Sequence, residues 1–179
     1  MVPITFHTKN GQRGIIRDLE AGDVDQLLVY ANALSIEDTF VQLSGEEISQ
    51  EEEKKFIAER LERIAKGDSV NLVVTVGGVV AGLGGVERGE RRKSHVGVLN
   101  IAIAKAFRGQ GVGEALLRAL IAERKTRLHI RLIILTCFAI NASAIALYAK
   151  VGFRKSGEIP GALIFKGSYE PEMTMYLPL

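Results

Sequence analysis

The stretch Phe107-Arg108-Gly109-Gln110-Gly111-Val112-Gly113-Glu114-Ala115-Leu116-Leu117, FRGQGVGEALL, puts glycine at every second place and then becomes an apolar, helix-forming run. Glycine allows backbone bends that a Cβ forbids and lets a ligand come close to the chain. The first N–H groups of a helix have no partner within it, and the helix dipole adds positive potential there. A glycine loop that opens a helix is therefore an anion site, suited to phosphate. Arg108 adds a guanidinium fork that fits phosphate with two parallel hydrogen bonds.

Spacing narrows the ligand. A P-loop needs Gly-x-x-x-x-Gly-Lys followed by Ser or Thr, and no Lys-Ser/Thr pair stands at that distance. A dinucleotide fingerprint needs Gly-x-Gly-x-x-Gly, but the sixth place is Glu114 counted from Gly109 and Leu116 counted from Gly111. That fingerprint also follows the first strand of its unit, whereas three or four strands precede this loop. The remaining pattern is Arg-x-x-Gly-x-Gly over Arg108, Gly111 and Gly113, in which Gly109 is helpful rather than required.

Outward from the loop, HVGVLNIAI (95–103) reads as a strand. After it, Val112, Leu116 and Leu120 mark the buried side of a helix that runs to about Arg127. Ile130 to Phe138 is almost continuously apolar, as in a strand covered on both faces. Asn141 opens a short helix that Gly152 stops. Upstream, a turn at Gly11 to Gly14 precedes a short strand, Ile15 to Arg17. Val24, Leu27, Leu28 and Ala31 recur at helical spacing behind a Gly22 or Asp23 cap. Residues 35–46 read as a loop. Ser49 to Lys66 is a second helix, acidic at its start and basic at its end, with Glu51 to Lys55 as a solvated face. Val70–Val76 and Val79–Val86 form a hairpin across Gly77-Gly78. Ala162–Lys166 and Glu172–Leu177 form a last antiparallel pair across Gly167-Ser168. The order β α α β β β α β α β β describes a single α/β domain over 1–179, with a mixed sheet and helices on both faces.

Composition excludes several classes. The 179 residues are 47% hydrophobic and 25% charged, an ordinary globular balance with a net charge of +2. Nothing there draws the chain to nucleic acid or a membrane surface. No apolar run nears the ~18 residues of a membrane span. The start of the chain lacks the apolar core of a signal peptide. The lone cysteine, Cys137, permits no internal disulfide and reads as a small buried hydrophobe. A cytoplasmic protein with no metal is expected.

Arg108-x-x-Gly111-x-Gly113 resembles the pyrophosphate loop of the GNAT family of N-acetyltransferases, which bind acetyl-coenzyme A. NASAIALYAKVGF, Asn141 to Phe153, is similar to the family's second signature, and LNIAIAKAFRGQGVGEALL to its strand-loop-helix. The sequence-level likeness covers residues 87–178, and the first 86 match in element order. Within the family, LNIAI and NASAIALY resemble segments of the ribosomal-protein alanine acetyltransferases.

The resemblance implies a mostly antiparallel sheet of about seven strands and acetyl-coenzyme A as the acyl donor. It places Ile101, Ala102 and Ile103 beside the pantetheine arm in a gap between splayed parallel strands. A backbone N–H near Ile103 would polarise the thioester carbonyl. Arg108, Gly109, Gln110, Gly111, Val112 and Gly113 would hold the pyrophosphate. Asn141, Ala144, Ile145 and Tyr148 share one helix face by spacing. The resemblance sets Asn141, which also suits an N-cap, beside the arm together with Ala144 and Tyr148. It makes Tyr148 the general acid for the departing thiolate. In the alanine acetyltransferases a glutamate base falls where Thr136 stands here. His95, Glu37, Glu158, Glu170 and Glu172 are the other candidate bases, each more simply a surface or structural residue. Glu37, Thr39 and Phe40 fall where the family shapes its acceptor pocket. The expected function is acetyl transfer to a primary amine, of a small molecule or a peptide, by direct attack. Rival readings are a non-catalytic acyl-coenzyme A-binding or sensing module and another nucleotide-binding protein. Relatives often pair, so a homodimer is also implied.

Overall fold

Gly77 and Gly78 have φ of 59° and 83°, the double positive φ of a tight hairpin turn, between β3 (Ser69–Val76) and β4 (Val79–Arg88). The structure is a computed structural model. It describes every residue except Asp38 and Gln42 and the side chains of Arg124 and Lys125. The other strands are β1 (Ile4–His7), β2 (Arg13–Asp18), β5 (Val96–Ile103), β6 (Leu132–Phe138), β7 (Arg154–Phe165) and β8 (Ser168–Pro178). All eight form one sheet in the order β1-β2-β3-β4-β5-β6-β8-β7. Every pairing is antiparallel except β5 with β6.

Among the described residues four α-helices flank the sheet: α1 (Val24–Glu37), α2 (Gln50–Ala65), α3 (Val112–Glu123) and α4 (Ala142–Lys150). Local chemistry starts two of them. Ser49 and Glu52 close a capping box on α2. Asn141 Oδ1 accepts the Ala144 N–H at 3.2 Å to cap α4. The helices divide by face. Leu116, Leu117 and Leu120 of α3 and Tyr148 of α4 join Val70, Leu72 and Val74 of β3 in one core. Leu27, Tyr30 and Leu34 of α1 and Ile57 of α2 join Val73 on the opposite face.

Several boundaries differ from the sequence reading. β1 is an added strand, four residues long and paired only with β2, too short to show a period. α1 runs on through Glu37 into what reads as a loop. The expected loop also includes Asp38 and Gln42, which lie outside the described residues. α3 ends at Glu123 and a π-helical turn, Arg124–Leu128, follows it. β7 and β8 are about twice their expected length, because β7 is a mostly exposed outer strand whose RKSGE start has no apolar alternation.

The site depends on how β5 and β6 part. Their parallel pairing covers Val96↔Leu132, Gly97↔Ile133 and Val98↔Ile134. Beyond that point β5 stays with β4 as far as Ile103, and β6 stays with β8 as far as Phe138. Ala104 donates its N–H to the Ala81 carbonyl at 2.9 Å. In an antiparallel ladder, the even-numbered β5 residues therefore turn their polar groups to β4. Leu99, Ile101 and Ile103 turn theirs toward the gap.

Leu116 is fully buried and its side chain packs over Gly84, within 3.4 Å of where a Cβ would stand. Leu116→Ala is expected to lower unfolding free energy by about 2–5 kcal/mol. A lower urea midpoint with an unchanged m-value checks this.

Candidate active site

The glycine loop joins β5 to α3 through a short helical turn, Lys105–Phe107. Its glycines serve two different purposes. Gly109 and Gly111 have φ of 73° and 87°, where a side chain is strained, although nothing lies within 4 Å of either Cβ position. Gly109 is thus required by conformation, more strictly than the spacing pattern implies. Gly113 has ordinary φ, but a Cβ there would lie 3.2 Å from Leu147 and 3.4 Å from Ile103. Its smallness lets α3, α4 and β5 converge. Gly111 accepts the Ala115 N–H as the first helical bond, so the N–H groups of Val112, Gly113 and Glu114 point out of the helix start. The Val112 side chain is buried, and the Gln110 amide turns back to donate to the Ala106 carbonyl at 2.6 Å. Both residues therefore offer backbone to the loop. Open space around positive-φ glycines and a free helix start make a cradle that fits a pyrophosphate.

Arg108 has found partners within the chain. Its guanidinium forms a bidentate pair with Glu37, one arm at 2.9 Å, and its Nε donates to the Ile103 carbonyl at 2.9 Å. The structure thus joins two residues expected in different places, Arg108 on the pyrophosphate and Glu37 in the acceptor pocket. The Arg108 side chain remains about one-third exposed.

A cavity of about 1280 Å³ opens at the strand gap. Ile101, Ala102, Ile103, Arg108, Gly109, Gly111 and Gly113 line one part of it, and Asn141, Ala144 and Tyr148 another. Thr39 and Phe40 line it as well, whereas Glu37 faces a separate groove on α1. Of the expected α4 face, Ile145 packs into the core instead. Phe40 stacks against Phe165 and Phe138, with ring centroids 4.8 and 5.4 Å away.

Tyr148 is 7% exposed and its ring packs on Phe153. Among the described residues its hydroxyl has no hydrogen-bond partner, and burial pushes the phenol above its ordinary pKa. It therefore keeps its proton at neutral pH. Cys137 also lines the cavity, and burial raises its thiol too, which disfavours the thiolate. Thr136 is exposed into the same space and offers no carboxylate. Of the other candidate bases, Glu158 pairs with Lys155 at 2.6 Å, and His95, Glu158, Glu170 and Glu172 stand outside the cavity lining. Among the described residues no group of His, Cys, Asp and Glu forms a metal site.

Sequence reading missed Glu53. It lies in the run read as a solvated face, yet it is 4% exposed and lines the cavity. The signal was its place in the stripe Glu53, Ile57, Leu61, Ile64, in which the other three pack against the sheet.

A family model described as the acetyltransferase (GNAT) family matches residues 35–153. The chain belongs to the GNAT family of acetyltransferases. It is an acyltransferase that uses acetyl-coenzyme A as donor. It is 33% identical over 110 residues to an L-amino acid N-acetyltransferase from Escherichia coli (strain K12), a match covering 60% of this chain and 68% of that protein. A GNAT-family acetyltransferase from Streptococcus pneumoniae superimposes with a TM-score of 0.84 at 27% identity, over 93% of this chain and 99% of that one. A ribosomal-protein-alanine N-acetyltransferase from Brucella melitensis does so with a TM-score of 0.79 at 25% identity, over 92% and 99%. No described helix is long and apolar enough to cross a membrane.

Because space around Gly111 is open, Gly111→Ala is expected to lose about 1–2 kcal/mol through backbone strain alone. Gly22→Ala, also in open space but without positive φ, is expected to show no such loss. Urea midpoints of the two variants check this.

Proposed function

We propose that this GNAT enzyme moves an acetyl group from acetyl-coenzyme A to a primary amine by direct attack, with Tyr148 as general acid. One observation carries the reading. The gap that opens after Val98 and Ile134 meets the glycine loop and the Asn141–Tyr148 helix face in a single cavity.

The donor supplies an activated acetyl group on a thioester. The chain's residues do the rest. N–H groups of Gly109 to Gly113 and the start of α3 take the pyrophosphate charge, with Arg108 bracing the loop through Glu37 and the Ile103 carbonyl. The gap-facing backbone of Leu99, Ile101 and Ile103 binds an extended, amide-bearing arm as it would bind another strand. The Ile103 N–H polarises the thioester carbonyl. Asn141 keeps its Nδ2 for the arm while Oδ1 caps α4, and Ala144 leaves room beside it. Tyr148, protonated through the physiological range, donates its proton to the departing sulfur. Thr39 and Phe40 belong to the acceptor side. The names of the Escherichia coli and Brucella melitensis relatives support an amino-acid or peptide amine as acceptor.

Calorimetry is expected to give saturable binding of acetyl-coenzyme A and none of ATP or NAD. A thiol-release screen over L-amino acids, alanine-ended peptides and polyamines is expected to find turnover. Binding without release against every amine would instead indicate an acyl-coenzyme A sensor. Tyr148→Phe is expected to lower kcat on the order of 10²-fold with donor affinity unchanged. Cys137→Ala is expected to retain activity, which an acyl-cysteine route forbids.

A further inference from the structure

The cavity holds four carboxylates among the described residues, and three are occupied. Glu46 accepts from the Ser44 N–H and hydroxyl. Glu52 accepts from Ser49 in the capping box. Glu114 pairs with Lys150 and Arg118. Glu53, the most buried of the four, has no hydrogen-bond or ion-pair partner within the described residues. Its oxygens are not sealed in the interior but open to the cavity, so a carboxylate without a protein partner is left available to a ligand there.

Its position suits one substrate group. Ile57, one turn further along α2, packs in the same cluster as Leu83 of β4 and Ala102 of β5. Glu53 therefore stands on the α1–α2 face of the sheet, while Tyr148 belongs to the α3 face. The parting of β5 and β6 lets both reach one cavity. A nucleophile on one side of a thioester and a proton donor on the other is the arrangement that acyl transfer to an amine requires.

We propose that Glu53 is the acceptor-side base: its carboxylate binds the acceptor's ammonium group and takes one proton from it. This rests on the acetyl-transfer reading above. The freed lone pair attacks the thioester carbon, forming C–N as C–S breaks. The sulfur gains the Tyr148 proton, the second proton lost from nitrogen restores Tyr148, and Glu53 gives its proton to water. The site thus selects a cationic primary amine. Burial raises the Glu53 pKa above the ordinary carboxylate value, partly offset by Arg60, which strengthens the carboxylate as a base. Arg60 does not close on Glu53: it donates to Asn71, lies 3.7 Å from Glu87 and stacks over Phe56 at 4.2 Å. The other ionisable groups on this side of the cavity are Glu52 on α2, Glu46 ahead of it, Tyr30 on α1 and Arg108, which is paired with Glu37 at the end of α1; β3 and β5 present uncharged Asn71 and Asn100.

Glu53→Gln preserves shape and removes the base. With an amine found by the thiol-release screen, kcat/KM is expected to fall on the order of 10²-fold. Donor affinity by calorimetry should stay within about twofold of wild type, and the melting temperature should not drop. Because a raised carboxyl pKa empties the base as pH falls, the wild-type rate should rise with pH through it, and that limb should vanish in E53Q. Glu53→Asp, which keeps a carboxylate, should recover part of the rate. Wild-type kcat/KM and an unchanged pH profile in E53Q would overturn the proposal. So would equal losses in E53Q and E53D accompanied by lost donor binding, which would mark a structural role. Wild-type enzyme that releases no thiol with any amine overturns the acetyl-transfer reading itself, whereas equal release by wild type and E53Q overturns only the Glu53 assignment.

Discussion

Two parallel strands that pair for three residues and then separate determine everything else in this molecule. A strand edge inside a protein is normally covered, because unpaired N–H and C=O groups away from water are costly. Here the edge is kept open by bonds on both sides. On one side β5 pairs with β4 as far as Ile103, while the Tyr30 hydroxyl donates to the Ala102 carbonyl at 2.8 Å and Arg108 Nε occupies the gap-facing Ile103 carbonyl. On the other side, β6 pairs with β8 along its whole length, Leu132↔Pro178 to Phe138↔Glu172.

The gap ties the two halves of the site together. Arg108 follows β5 and touches its last carbonyl, while its fork grips Glu37 at the end of α1. The segment after Glu37 carries Thr39 and Phe40 into the cavity. The segment that carries Thr39 and Phe40 and the glycine loop are therefore linked through one partly exposed ion pair. Such a pair adds little to stability, so its weight lies in setting the relative position of two loops.

What the sequence revealed was local. The glycine loop, the Asn141 cap and the Gly77-Gly78 hairpin each depend on a few adjacent residues, and each stands where the spacing puts it. The Arg108–Glu37 pair joins residues 71 apart, and each had another role open to it. The extent of the splay is a matter of which strands pair, which no single stretch encodes. β7 stayed hidden in its first half because an exposed outer strand needs no apolar alternation. Glu53 was hidden for the opposite reason. Acidic residues crowd the first turns of α2 and suit its dipole, so one that turns inward looks like its neighbours unless its place in the Ile57 stripe is weighed.

Burial acts on two groups in this cavity with one sign and opposite uses. Removing water disfavours the charged form of a phenol and of a carboxylate alike, so both Tyr148 and Glu53 are pushed upward. For the phenol, this keeps the hydroxyl protonated, as the proposed proton donor must be. For the carboxylate, it raises the affinity for a proton that an ammonium must lose. A glutamate at Thr136, exposed and free to solvate, would lack that burial. Setting the base on α2 places it among apolar side chains, on the far sheet face from the acid.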